Sequence, residues 1–167
     1  MSHESDWIEA ARRLLYPRLH PLLHIVGLYS VGPVSEAQHV ATIQMGEEEF
    51  EKYILHAPHR FERNPIASYK TAPDGRKSTL SLRLTHAGSE HYNTQYVDEK
   101  KQLHWTLFNA ADGVLDLYAH YEYDWQVAPV KHLRGEGMSD DIGRAKSLLF
   151  LRDATGLEKG DDYYIND

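Results

Sequence analysis

The chain has 167 residues, 41% hydrophobic and 26% charged, with a formal charge of -7 and no cysteine. That length suits one domain with its own core, and the missing cysteines exclude disulfides, zinc–thiolate sites and thiol nucleophiles. The acidic balance argues against general nucleic-acid binding, which needs a basic face.

In chain order, a first helix is expected over about residues 5–16. Ser5 caps it, Asp6 and Glu9 sit in its opening turn, Trp7, Ile8, Ala11, Leu14 and Leu15 share a face, and Pro17 stops it. Its acids and tryptophan stand where a signal peptide would be apolar. The apolar run Leu22 to Val31 reads as a buried strand and is too short to cross a bilayer. A soluble protein in the cytoplasm, without membrane contact, is the expectation. Gln38 to Met45 follows as a strand. Glu47 to Leu55 is a short helix with acids in its first turn and Phe50, Tyr53 and Ile54 on one face.

The middle of the chain carries two hairpin signals. "ASYKTAPDGRKSTLSLRL" reads as two strands joined by Pro73-Asp74-Gly75, and "LHWTLFNAADGVLDLYAHYEY" as two more joined by Ala111-Asp112-Gly113. A three-residue loop ending in glycine is a favoured hairpin. Between them, Glu90 to Val97 is a further strand. A last helix is expected over about residues 140–155, capped by Ser139 or Asp140 and ended by Gly156. In it Ile142, Ala145, Leu148, Leu149 and Arg152 recur at helical spacing. An acidic tail with aromatics, 157–167, closes the chain. The whole predicts a single α+β domain over 1–167. It is a twisted or curved antiparallel meander of about five to seven strands within about 22–125, with helices near both termini.

Hydrophobic parity constrains the second hairpin further. Leu103, Trp105 and Leu107 are odd-numbered, as are Leu115, Leu117, Ala119 and Tyr121. A three-residue Ala-Asp-Gly loop pairs Ala110 with Val114, which sets Trp105 opposite Ala119 and Leu107 opposite Leu117. The other face then sets His104 opposite His120, Thr106 opposite Tyr118 and Gln102 opposite Glu122. Opposed β-carbons lie about 5 Å apart, so His104, His120 and Glu122 converge on one patch. Two imidazoles and a carboxylate are the ligand types that hold a divalent metal such as zinc or non-haem iron. Asp124 and Tyr118 are candidates to orient an imidazole through its other nitrogen. His104, Thr106, Tyr118, His120 and Glu122 are equally the candidates for binding a polar or amphipathic ligand. The same alternation also describes a sheet face that simply meets water. Phe108 on that face hints that part of it is covered.

Eleven histidines against three methionines is an unusual bias toward the side chain suited to metal ligation and proton transfer near neutral pH. "HWTLF" (His104 to Phe108) resembles the His-x-Thr-hydrophobic motif of the 2H phosphoesterases, in which a histidine and a threonine act on a phosphate. That family carries two such motifs, and a second one ending in a hydrophobic residue is missing here. The nearest substitutes, "HYNT" (His91 to Thr94) and "HVAT" (His39 to Thr42), have another spacing. His56 and His59 in "HAPH", and His86 and His91 around Gly88, read as turns, and Ser89 beside Glu90 and His91 would need a bend to align.

Three functions remain open. The first is a small binding domain that holds a small-molecule ligand or a protein partner on the sheet face. The second is a metal-dependent enzyme, a hydrolase or oxygenase using His104, His120 and Glu122. The third is a subunit of a larger assembly, with homo-oligomers formed through the tyrosines of "DDYYIND".

Overall fold

The computed structural model describes residues 14–15, 33–55, 61–64, 70–86 and 96–165. The expected strand over 22–31, His56, His59, Ser89, His91, Asn93 and Gln95 lie outside these residues. So does the expected first helix apart from Leu14 and Leu15, which are helical.

The fold is α+β, built on one six-stranded antiparallel sheet. Its strands are β1 (His39–Ile43), β2 (Glu62–Arg63), β3 (Leu80–Thr85), β4 (Lys101–Ala111), β5 (Val114–Tyr123) and β6 (Tyr163–Tyr164). In space they run β2-β3-β4-β5-β1-β6. The four strands β2 to β5 follow one another as a meander, and β1 docks on the far side of β5. The α-helices with full described bounds are α1 (Glu47–Leu55), α2 (Pro129–Leu133) and α3 (Asp140–Phe150), the last continued by a π turn over Leu151–Thr155.

The first hairpin turns at Gly75 as expected, with Ala72 and Arg76 bonded across it. Among the described residues its first arm pairs by a bridge of Thr71 with Lys77, and the second arm becomes the strand β3. Tyr96 and Val97, the described end of the expected strand over 90–97, are buried but lie outside any strand.

The register of β4 on β5 is the expected one: Trp105 faces Ala119, Leu107 faces Leu117, His104 faces His120, Thr106 faces Tyr118 and Gln102 faces Glu122. The closing turn differs. Ala111, not Ala110, pairs with Val114 around Asp112-Gly113, and the register shifts between Asn109 and Ala111. Gly113, at φ 70°, supplies the left-handed residue. A two-residue closure alone would set odd residues against even. The extra residue Ala110, a bulge, restores odd with odd. Both routes place the same side chains on the same faces.

The odd face is the apolar core. Leu80, Leu82 and Leu84 of β3 continue the row of Leu107, Trp105 and Leu103, and Ala41 and Ile43 continue it beyond β5. Trp105 is fully buried, with Phe61 stacked on it at 4.1 Å and Phe150 edge-on at 5.7 Å. Its indole N–H donates to Ser147 Oγ at 2.7 Å, which ties α3 to the sheet. Ser139 caps α3, accepting from Ile142 N at 3.2 Å.

The buried side of α3 departs from its apolar stripe, of which Leu148 and Leu149 pack half-buried against the core. Gly143, Ser147 and Phe150 face inward, while Ile142 is 46% exposed and Ala145 lies outside. Close approach explains the choice: a β-carbon on Gly143 would stand 2.3 Å from the His120 Cα. The helix backbone rests on the strand that carries His120. Among the described residues no helix is long and apolar enough to cross a membrane.

Gly143→Ala therefore has to push α3 off β5. Overpacking of this kind costs roughly 1–3 kcal/mol. A fall in the urea midpoint with an unchanged slope is expected, while the exposed Ala145→Gly change should cost no more than about 1 kcal/mol, the helix-propensity difference. Wild-type stability in Gly143→Ala would contradict the close packing.

Candidate functional site

The even face of β4 and β5 is not solvated. Gln102, His104, Thr106, Tyr118, His120, Glu122 and Asp124 are all at most 5% exposed. Phe108 and Tyr118 pack edge to face at 5.2 Å and share a small apolar cluster with Val34 and Ala72. Lys70, from the first hairpin, and His132, from α2, close over the polar part.

His104, His120 and Glu122 meet as the register requires. His104 Nδ1 lies 3.1 Å from His120 Nε2 and 3.2 Å from Glu122 Oε1, and His120 Nε2 lies 3.3 Å from the same oxygen. The three atoms form a nearly equilateral triangle. Thr106 is buried beside it, with a hydroxyl that bonds to no described residue. Tyr118 faces His39 and Phe108 instead of the imidazoles of His104 and His120. Asp124 is likewise drawn elsewhere, accepting from Gln126 N at 2.8 Å and standing 3.9 Å from Arg83. Trp125 lies 5.5 Å from the Arg83 guanidinium.

The outer imidazole nitrogens go to residues that the reading of the second hairpin alone did not supply. Ser81 Oγ lies 2.8 Å from His104 Nε2, and Lys70 Nζ lies 3.4 Å from His120 Nδ1. A signal for Ser81 was present: the leucines at 80, 82 and 84 of β3 place Ser81 and Arg83 on the polar face. Lys70 precedes the Thr71–Lys77 bridge and lies outside any strand, where alternation says little. Ser81, His104 and Glu122 also line up like a nucleophilic triad. Ser81 Oγ sits on the outer nitrogen of His104, where it orients the imidazole.

Burial decides the charge states. It pushes the His104 imidazole down to about 3, with the Lys70 charge adding to the effect. Burial, and again Lys70, also lower His120. Burial opposes the Glu122 charge, but the imidazoles of His120 and His104 outweigh it and hold the carboxyl well below its usual range. Gln102 Nε2 supports the same oxygen at 2.7 Å. Lys70 is pushed down to about 8 by burial, against the pull of Glu122 and Asp140. As an ammonium, Lys70 donates to His120 Nδ1 and leaves the proton on Nε2, inside the triangle. As an amine it accepts from Nδ1–H and leaves Nε2 bare.

The imidazole shifts give a signed pH dependence. The folded state resists protonation of His104 and His120, so on acidification the unfolded chain takes up protons first. Stability is then complete above about pH 6.5, the ordinary histidine value. It declines toward about pH 3, where His104 itself titrates. Each histidine contributes a slope of up to about 1.4 kcal/mol per pH unit. Urea midpoints of chelator-treated protein should fall steadily below pH 6.5, and His104→Gln should flatten the curve. A level profile from neutrality to about pH 5 would contradict the buried neutral imidazoles.

Comparison of the chain with protein-family models, with curated proteins and with solved structures finds no match, so its site stands on geometry alone.

Proposed function

We propose that the protein binds one divalent transition-metal ion through His104 Nδ1, His120 Nε2 and Glu122 Oε1. The observation that carries this reading is the closed triangle with edges of 3.1, 3.2 and 3.3 Å. Ligand atoms about 2.1 Å from a common ion, at 90–109° to one another, lie about 3.0–3.4 Å apart. Protons serve such a triangle poorly. With both inner nitrogens protonated, two N–H groups stand side by side. With one bare, its lone pair faces the carboxylate. A cation attracts all three.

Two further features support the fit. Ser81 can accept from His104 Nε2–H, which fixes the tautomer whose Nδ1 lone pair points inward. Around the triangle, Gln102 Oε1 and Thr106 Oγ1 are buried without a hydrogen-bond partner among the described residues, and Glu122 Oε2 has the His132 ring nitrogen 3.4 Å away. Such atoms are what the remaining ligands of an ion, or water bound to it, would satisfy. Two histidines and one carboxylate suit zinc or iron(II), with positions left open. Zinc there would acidify a bound water for hydrolysis, and iron(II) would support oxygen chemistry. A metal-dependent hydrolase or oxygenase is therefore the enzymatic form of the proposal.

Elemental analysis of untagged protein from metal-supplemented medium tests it. About one zinc, iron or manganese ion per chain is expected in wild type, with little in His104→Ala or in the near-isosteric Glu122→Gln. A folded wild-type protein that takes up no metal would overturn the reading. Lys70→Met offers a second check. Removing a cation beside the site should leave zinc binding as tight as in wild type or tighter. Loss of binding in that variant would instead make Lys70 essential to the site.

A further inference from the structure

Beside the polar row lies a cleft of about 460 Å³ lined by Glu36, His39, Asp116, Tyr118, Asp141 and Arg144. Small-ligand sites typically span ~300–1,000 Å³. The lining comes from three separate parts of the chain: the turn before β1, the strand β5 and the start of α3. None of these residues belongs to the proposed metal triad.

Asp116 is already committed. It accepts from Thr42 Oγ1 at 2.8 Å and from Arg76 at 2.7 Å, with His39 Nε2 at 3.7 Å. The other charged groups are not. Arg144 spends its Nε on the His39 carbonyl at 3.0 Å, and its two terminal nitrogens meet no described residue. The carboxylates of Glu36 and Asp141 likewise bond to no described side chain. The most pointed observation is Tyr118. It is 5% exposed, set edge-on to His39 at 5.1 Å, and its hydroxyl has no partner among the described residues. Tyr118 lines the cleft, where its hydroxyl can donate to a bound ligand.

One guanidinium edge, one hydroxyl donor and two free carboxylates thus border a single space. The terminal N–H groups of an arginine match a carboxylate. The free acids of Glu36 and Asp141 match an ammonium. An anion alone would meet two carboxylates of like charge, and an amine alone would leave Arg144 and Tyr118 unused. We propose that the cleft binds a small zwitterion of the amino-acid class, its carboxylate held by Arg144 and Tyr118 and its ammonium by Glu36 and Asp141.

The test is thermal-shift measurement and calorimetry on the full chain after chelation, so that the outcome is independent of the metal reading. The twenty common L-amino acids are compared with acetate and ethylammonium at up to roughly 10 mM, above the weakest dissociation constant expected of such a site. At least one amino acid should raise the unfolding midpoint where both single-charge compounds fail. Arg144→Gln should weaken its binding about tenfold, as for the loss of a charge-assisted pair. Asp141→Asn should also weaken it, beyond the small fall in the ligand-free midpoint that follows from losing an acid in the first turn of α3. No shift with any amino acid overturns the proposal. So does unchanged affinity in both variants, and so does ethylammonium binding as well as the best amino acid.

Discussion

With His104 paired against His120, one side of β4 and β5 presents Leu103, Trp105, Leu107, Leu117, Ala119 and Tyr121, and the other presents Gln102, His104, Thr106, Tyr118, His120 and Glu122. A slip of one residue on either strand would exchange the two sets. Trp105 would leave its packing against Phe61 and Phe150, and charged groups would enter the leucine layer. The bulge at Ala110 holds the register beside the turn, and the leucines of β3 extend it across the sheet. The core and the polar cluster are two consequences of one pairing.

Because the second side is also buried, its polar groups have to satisfy one another. One carboxylate, two neutral imidazoles and one lysine occupy a space closed from water, where an unpaired charge is costly. Strand geometry brings the imidazoles and the carboxylate within 3.3 Å of each other. Ser81 and Lys70 then fix which nitrogens carry protons. Gly143 contributes from the other side of the sheet. By resting against the His120 backbone it holds the strand from behind, so α3 helps to position the triad.

Much of this arrangement was legible in the residues, for identifiable reasons. Odd-numbered apolar positions on both strands admit only one pairing parity, so the meeting of His104, His120 and Glu122 followed from pattern alone. The closing turn did not, because a three-residue loop and a two-residue turn with a bulge leave the same faces. Burial of the polar row was illegible too. Alternation is identical whether the second face meets water or a layer of lysine, histidine and small apolar residues. The inward face of α3 was hidden for a different reason: its contacts depend on Gly143 and Ser147, small residues that carry no hydrophobic signal. The cleft joins residues as distant as Glu36 and Arg144, which no local spacing connects.

The central claim is that two imidazoles and one carboxylate oxygen surround a common ion, and X-ray absorption at the zinc K-edge of the zinc-loaded protein tests it most directly. The expected spectrum shows about two imidazole ligands, recognised by their outer-shell scattering, and oxygen ligands at about 2.1 Å. An all-oxygen shell without imidazole scattering would contradict it, because the ion would then lie elsewhere on this acidic chain.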